Sequence, residues 1–185
     1  MSLRKPPLGS LADILIKRAT LTPYFHLRGY QQRYWVTPNP KDAVEQKLSA
    51  RVHVYQSADV DRHLHDHPAE SISVVLSGYF VERMPESQDQ SPELDDTLFE
   101  DFVRRPGDVI YRRATDRHKI VEISTTEQTA TMFIMGPWVQ DWGFYAPGGK
   151  VYWREYLNEW GTDPQPGAVV NGRDASFTVA QQLSE

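Results

Sequence analysis

Three of the chain's six histidines fall within five residues, at His63, His65 and His67. On an extended strand, residues two apart project from the same face with Cα atoms roughly 6.6 Å apart, so two imidazoles can reach one ion through bonds of about 2.0–2.1 Å. Because the chain has no cysteine, histidines and carboxylates are left to hold any metal. The cluster therefore predicts a metal site, although the same spacing also occurs on solvated strands.

A further histidine follows a turn signal downstream. Pro106-Gly107-Asp108 suits a type II turn, because proline fixes φ at the second position and glycine supplies a positive φ at the third. The strand predicted after this turn ends at residues 114–117, and His118 opens the next apolar run, residues 120–123. We therefore expect His118 at the beginning of a strand.

This combination of motifs resembles that of the cupin superfamily. The stretch His65-Asp66-His67, followed by Ser71 and Gly78, is similar to a first motif of an HxH pair, a glutamate and a glycine. The turn at 106–108 and His118 resemble a second motif, PxG and then a histidine some ten residues later. The resemblance implies a double-stranded β-helix barrel with a metal ion held by the three motif histidines.

The resemblance extends to the C-terminal stretches 142–144 and 153–156, which are similar to small single-domain bacterial and phage cupins of unassigned function. One position departs from the family, because Ser71 stands where cupins place a metal-binding glutamate and Glu70 lies one residue earlier. Side chains alternate along a strand, so Glu70 faces away from Ser71 unless a bulge or the turn at Pro68 redirects it. We predict His65, His67 and His118 as ligands, with Glu70 as an additional candidate and His63 as an alternative.

Three neutral imidazoles leave at least one position on an ion for water or substrate, which is the open geometry of a catalytic site. Cupins that oxidise thiols use such a three-histidine iron site without the glutamate. The implied cofactor is a divalent metal ion, with iron, zinc, nickel and manganese as the alternatives.

Other residues are candidates for catalysis. Period two places Glu122 on the face of His118, where it could hydrogen-bond a ligand imidazole or accept a proton. Tyr111 and Arg113 lie on a strand that would line the barrel mouth, where an arginine could clamp a substrate carboxylate; His53 and Arg154 are weaker candidates of this kind. For Glu122 and the arginines, the competing interpretation is an ordinary surface position. The large C-terminal aromatic residues are expected in the core: Trp138, Trp142, Phe144, Tyr152, Trp153 and Tyr156.

These residues must be positioned by a scaffold of short strands. Aromatic and β-branched runs separated by turn residues predict an all-β, double-stranded β-helix barrel preceded by one amphipathic helix over residues 10–20. We expect the chain to divide into an N-terminal helical extension (1–23), a barrel (24–160) and a weakly ordered tail (161–185). Within the barrel, residues 85–96 are expected to form an acidic surface loop. The predicted strands are 32–36, 51–56, 72–82, 98–105, 109–113, 118–123, 129–135, 143–145 and 150–156.

The amino-acid composition indicates which classes of partner to expect. Twenty Lys and Arg against 25 Asp and Glu give a net charge of -5 with no basic stripe, which argues against nucleic acid. With no apolar run of 18 residues and no secretory leader, we expect a cytoplasmic protein that does not contact membranes. An open barrel leaves strand edges and an outer apolar face, so we expect a homodimer with Ile72, Val74 and Leu76 as the candidate face.

Three functions fit these features. The first is a metal-dependent enzyme acting on a small molecule, such as a dioxygenase if the ion is ferrous. The second is a non-catalytic module that holds a small ligand in the same barrel, which the displaced glutamate favours. The third is a metal-free, epimerase-like barrel that uses His and Asp as acid and base, and the dense histidine cluster argues against it. We favour them in that order.

Overall fold

The fold is that of a computed structural model, which describes residues 8–23, 25–27, 29–36, 48–88, 99–159, 168–170 and 173–174. These ranges contain two helices and thirteen strands. They are α1 (Leu8–Ala19), β1 (Phe25–Leu27), β2 (Gln31–Trp35), β3 (Ser49–Tyr55), β4 (Ser71–Ser77), β5 (Phe80–Pro85), β6 (Phe99–Arg104), β7 (Val109–Arg112), β8 (Lys119–Ile123), β9 (Thr129–Met135), β10 (Gly143–Ala146), β11 (Gly149–Tyr152), α2 (Trp153–Glu159), β12 (Ala168–Val170) and β13 (Arg173–Asp174).

The strands form three antiparallel sheets. The largest has the order β13-β12-β1-β2-β3-β9-β4-β7, the second β6-β5-β8, and β10 and β11 form a hairpin. The predicted all-β class with an N-terminal helix is therefore confirmed. Among the described residues, neither helix combines the length and apolar character that crossing a bilayer requires.

Other elements pack against both faces of the large sheet, although its outer face stays exposed at Tyr111 of β7. On one face, Ala12 and Ala19 of α1 pack against Val52 and Val54 of β3 and against Leu76 of β4. The helix is amphipathic, but its buried face differs from the predicted one of Leu11, Ile14 and Leu15, because Leu11 and Ile14 are exposed while Leu15 packs beside the buried alanines. Burial of Leu76 here removes one residue of the predicted dimer face.

The other face of the large sheet meets the three-stranded sheet. Val75 of β4 and Ile110 of β7 pack against Phe80 of β5 and Ile120 of β8, and all four are buried. This apolar layer joins the two sheets into a barrel whose interior is lined by alternate residues of each strand.

Gly78 separates β4 from β5. The sequence predicted one strand over residues 72–82, but the chain turns at Gly78 with φ of 63° and continues in the other sheet. A Cβ at this position would lie 2.6 Å from Oγ1 of Thr129 and 2.8 Å from its Cα, so the turn requires glycine for both backbone conformation and space. The single-strand prediction was wrong at this point.

The predicted strand over 150–156 was also too long, because β11 ends at Tyr152 and α2 begins at Trp153. Residues 153 and 156 lie on one face of this helix, and both pack against Phe144 and Ala146, which confirms their assignment to a core. Residues 89–96 of the predicted acidic loop and most of the predicted tail lie outside the described residues. Within the tail, β12 pairs with β1.

Candidate metal centre

The backbone of His65 is paired directly with that of His118. The amide of His65 donates to the carbonyl of His118 at 3.0 Å, and the amide of His118 donates back to the carbonyl of His65 at 3.0 Å. In such an antiparallel pair the two Cα atoms lie about 5.5 Å apart and the side chains share a face. His118 belongs to this isolated bridge and lies one residue before β8, which begins at Lys119 and not at His118 as expected.

His67 completes the cluster from the same side as His65. Its backbone amide donates to the carbonyl of Ala114 at 3.1 Å, and its carbonyl accepts from Nε2 of Gln140 at 2.8 Å. The Nε2 atoms of His67 and His118 are then 2.8 Å apart. The position of His67 therefore depends on two loops that are distant in sequence.

One ligand nitrogen from each of His65, His67 and His118 lies within 4.8 Å of the other two. Two nitrogens bound to one ion lie about 3.0–3.4 Å apart when each bond is about 2.1 Å, and the 2.8 Å between the Nε2 atoms of His67 and His118 is close to this separation. Nδ1 of His65 is buried and has no hydrogen-bond partner among the described residues. A bound cation would satisfy that lone pair, so these residues fit a divalent metal ion.

Burial keeps the imidazoles of His67 and His118 neutral. The pKa of His118 is lowered to about 4, first by burial and then by the positive charge of Arg112. The pKa of His67 is held well below 6.5 by burial and by the neighbouring His118 and His65. Neutral imidazoles offer the free lone pairs that metal binding requires.

A buried carboxylate contacts Nδ1 of His118. Oε1 of Glu82, on β5, lies 2.8 Å from Nδ1 of His118, and the Glu82 side chain is fully buried. This arrangement directs Nε2 of His118, and not Nδ1, toward the cluster, as is usual for a metal-ligating histidine paired with a carboxylate.

Two arginines neutralise Glu82. Arg112 contacts Oε1 through Nε at 2.9 Å and also through Nη2, and Arg104 donates to Oε2 from Nε at 2.8 Å. Burial alone would raise the pKa of Glu82, but the charge of Arg112 and the contact with His118 lower it far below its ordinary value. These contacts therefore favour the ionised form of the buried Glu82 carboxylate.

Asp66 points away from the cluster, as strand alternation requires. It is fully buried and accepts hydrogen bonds from the amide of Gly143 at 2.8 Å, the hydroxyl of Tyr145 at 2.9 Å and Nζ of Lys150 at 2.7 Å. Asp66 thus fastens the segment that carries His65 and His67 to the hairpin of β10 and β11.

The other predicted site residues lie apart from the histidines. Glu122 is exposed and accepts a hydrogen bond from the hydroxyl of Tyr79 at 2.7 Å. It does not share the inward face of Ile120, because the register of β5 and β8 shifts so that Ile120 pairs with Glu82 and Glu122 with Val81. Tyr111 is 57% exposed on the outer face of β7. The Arg113 side chain is also exposed, and its Nε lies 2.8 Å from Oδ1 of Asp116.

Neither of the remaining ligand candidates reaches the cluster. Glu70 is exposed and lies with Arg113 along a surface pocket of about 350 Å³, because the turn at Pro68 does not redirect it inward. Ser71 is the residue that faces the interior, as alternation predicted. His63 is directed elsewhere, with its Nδ1 2.9 Å from the hydroxyl of Tyr156.

Aromatic rings surround the cluster. The ring of His65 lies 5.7 Å from that of Phe144 and 6.3 Å from that of Trp142, and the ring of His67 lies 6.0 Å from that of Phe133. These apolar faces lower the local dielectric and strengthen electrostatic interactions inside the site.

No protein-family model and no curated protein matches the chain. Among solved structures, a mutant oxalate decarboxylase from Bacillus subtilis is similar at 17% identity with a TM-score of 0.48, covering 77% of this chain and 33% of that one. Hydroxypropylphosphonic acid epoxidase from S. wedmorenis is similar at 10% identity and 0.45, covering 63% and 56%. A cupin superfamily protein from Desulfitobacterium hafniense DCB-2 is similar at 12% identity and 0.42, covering 73% and 94%. A protein described as a member of the cupin superfamily is thus among the structural neighbours.

Proposed function

We propose that this protein binds a divalent transition-metal ion through His65, His67 and His118 and acts as a metal-dependent enzyme on a small molecule. The observation that carries the proposal is the convergence of three imidazole nitrogens, within 4.8 Å of one another, from segments 51 residues apart in sequence. The low pKa values of His67 and His118 support it, because protonated imidazoles would repel a cation.

Each surrounding residue has a part in this proposal. Glu82 fixes the ring of His118, and Arg112 and Arg104 keep that carboxylate ionised. Phe133 and Phe144 exclude water from the opposite side of the imidazoles. A bound ion would supply Lewis-acid polarisation or, as ferrous iron, reactivity toward dioxygen. Three imidazoles suit iron, zinc and nickel, and manganese remains an alternative.

A second candidate function is a non-catalytic module that holds a small ligand. This alternative is favoured because Glu70 and Glu122, the predicted acidic residues, lie away from the histidine cluster. Within the described ranges, the carboxylate that contacts the cluster is that of Glu82. Two arginines already engage Glu82, so it is a poor proton acceptor. In this alternative the metal, if present, would anchor the ligand without transforming it.

Metal analysis of the untagged protein tests the proposal. We expect near-stoichiometric metal in the wild type and loss of at least nine-tenths of it in His118→Ala. His63→Ala is the matched control, because this histidine belongs to the same sequence cluster but contacts Tyr156. Equal metal content in the two variants, or none in the wild type, would contradict the proposal.

Loading with cobalt(II) tests whether the metal centre is open. An enzyme site needs an open coordination position, so azide should change the visible spectrum of the cobalt protein. A spectrum that azide leaves unchanged would show a closed site and would contradict catalysis at the metal.

A further inference from the structure

The segment that joins β9 to β10, here called the joining segment (residues 136–142), runs beside the chain that follows the HxH pair. The amide of Gly136 donates to the carbonyl of Glu70 at 3.0 Å, and the amide of Val139 donates to the carbonyl of Pro68 at 2.8 Å. These bonds fix two irregular segments against each other and satisfy their backbone groups. The joining segment is therefore a backbone support for the residues next to the HxH pair.

Gln140 of the joining segment brings three backbone segments together through one nitrogen. Its Nε2 lies 2.8 Å from the carbonyl oxygen of His67, 2.8 Å from that of Ala114 and 3.1 Å from Oδ2 of Asp66. A side-chain amide has two N–H groups, so the two shorter bonds to the carbonyls use both, and the carboxylate shares one of them. One half-buried side chain thus connects the HxH pair with the turn that precedes the third histidine.

These bonds close a ring around the backbone of His67. Its amide donates to the carbonyl of Ala114 at 3.1 Å, its own carbonyl accepts from Gln140, and Gln140 donates to the same Ala114 carbonyl. Because both polar backbone groups of His67 are engaged, this residue can neither shift nor rotate without breaking a hydrogen bond. The ring therefore fixes the start of the His67 side chain relative to Ala114.

Ala114 is linked to His118 by a turn that has its own hydrogen bonds. The amide of Arg113 donates to Oδ2 of Asp116 at 2.8 Å, and the amide of Asp116 donates to the carbonyl of Arg113 at 3.2 Å. A turn closed by an aspartate in this way keeps one backbone conformation. A displacement of Ala114 from His67 would therefore also displace the imidazole of His118 from that of His67.

The separation of these two imidazoles decides whether both can bind one ion. The Nε2 atoms of His67 and His118 are 2.8 Å apart. Bond lengths to a bound metal stay within about 0.2 Å of their ideal values, and a binding geometry must be held to about 0.5 Å. The support of the His67 backbone therefore acts directly on the geometry that an ion requires.

We propose that Gln140 is a positioning residue of the metal centre, whose side-chain amide sets the separation of the His67 and His118 imidazoles. It does so by tying the backbone of His67 to the turn that begins at Ala114. Glu82 acts differently, because it contacts the ring of His118 and not the backbone of a ligand. The role of Gln140 toward an ion rests on the proposed function, whereas its effect on the distance between the two imidazoles can be measured in the metal-free protein.

Zinc affinity of the full-length protein, measured by chelator competition, is the first test. Gln140→Met keeps the length of the side chain but removes both donors, so zinc binding should weaken by about tenfold. Gln32→Met is the matched control, because Gln32 is also a half-buried glutamine but accepts a hydrogen bond from the hydroxyl of Tyr34 at 2.9 Å on β2. The control should bind zinc as the wild type does.

The second test measures the imidazole pair in the metal-free, ¹⁵N-labelled protein. Oε1 of Glu82 faces Nδ1 of His118 at 2.8 Å, so that nitrogen carries the proton and Nε2 of His118 accepts from Nε2 of His67. Scalar coupling between the two ¹⁵N nuclei across this hydrogen bond decreases as they separate. The coupling should be present in the wild type and in Gln32→Met, and should fall by about half or more in Gln140→Met.

Gln140→Asn keeps the test decisive if Gln140→Met does not fold. This variant retains both N–H groups on a side chain one methylene shorter, which cannot reach both carbonyls, so zinc binding should weaken several-fold and the coupling should decrease. Wild-type coupling or wild-type zinc affinity in a folded Gln140 variant would overturn the proposal, even if the variant is less stable, because the amide would then have a structural role only.

Two results separate this proposal from the metal proposal. If the wild type takes up no zinc but the coupling falls in Gln140→Met, the metal proposal fails and Gln140 still positions the two imidazoles. If zinc binds at the histidines and neither readout changes in the folded Gln140 variants, the positioning role fails alone.

Discussion

Replacement of Glu82 by glutamine isolates the role of the buried carboxylate behind His118. The change keeps the size of the side chain but removes the negative charge that Arg112, Arg104 and His118 share. The side chain of Arg112 is only 4% exposed, so its charge would lose its partner without gaining water.

Two free energies should change. Loss of one partner of a buried ion pair costs about 3–5 kcal/mol, so the free energy of unfolding should fall by that amount. Loss of the carboxylate that orients a ligating histidine weakens metal binding by about 10- to 100-fold, or about 1.4–2.7 kcal/mol. The metal-loaded protein should therefore be destabilised more than the metal-free protein.

Urea unfolding of both forms, together with chelator competition for zinc, measures these changes. Asp101→Asn is the matched control: Asp101 also accepts two hydrogen bonds from one arginine, but its side chain is 42% exposed. This control should cost at most about 1 kcal/mol and should not alter zinc affinity. If Glu82→Gln binds zinc as tightly as the wild type, Glu82 does not orient His118 and the reasoning fails.

Four further predictions concern other parts of the molecule. Asp66→Asn should lower the free energy of unfolding by about 2–4 kcal/mol in urea titration, because Lys150 and Tyr145 lose an ionised acceptor. Burial and the charge of Arg51 lower the pKa of His53 in the folded protein, so below about pH 6.5 only the unfolded chain protonates this residue. His53→Gln should therefore reduce the loss of unfolding free energy on acidification by about 1.4 kcal/mol per pH unit. Equal slopes of unfolding free energy against pH in the variant and the wild type would refute this prediction. Gly78→Ala should cost about 2–4 kcal/mol in thermal unfolding, and a neutral result would contradict the strained turn. Light scattering should give the mass of a homodimer, and a monomer mass at all concentrations would exclude it.

Much of the fold follows from local sequence patterns. The alternation of β-branched and aromatic residues predicted most of the strands from β2 to β10, and turn residues marked most of their ends. Alternation cannot detect a change of sheet, so the break at Gly78 was hidden inside one continuous apolar run. The helix α2 was read as a strand because aromatic residues favour strands locally, while its contacts with β10 exist only in the folded chain.

The metal ligands and their supporting residues differ in how far they could be predicted. The spacing of His65 and His67 is a local signal for a metal site, and the resemblance to the two cupin motifs added His118. Glu82 and Arg112 become partners only through the pairing of β4 with β7 and β5 with β8. The sequence carries a weaker signal for this pair. Glu82 and Arg112 each lie two residues after an apolar residue of the core, so both are on a core-facing side of their strand, where a charged side chain needs a partner.

His65 belongs to no regular strand, yet its backbone pairs with His118 on one side and Phe144 on the other. It is therefore a single residue that bridges the three-stranded sheet and the hairpin of β10 and β11. Opening of the hairpin must displace a ligand imidazole. An ion that binds only the closed arrangement therefore lowers the fraction of open molecules, and does so more strongly as the ion concentration rises above the dissociation constant. Hydrogen exchange at the Gly143 amide, which Asp66 protects, then reports occupancy of a site that this amide does not touch.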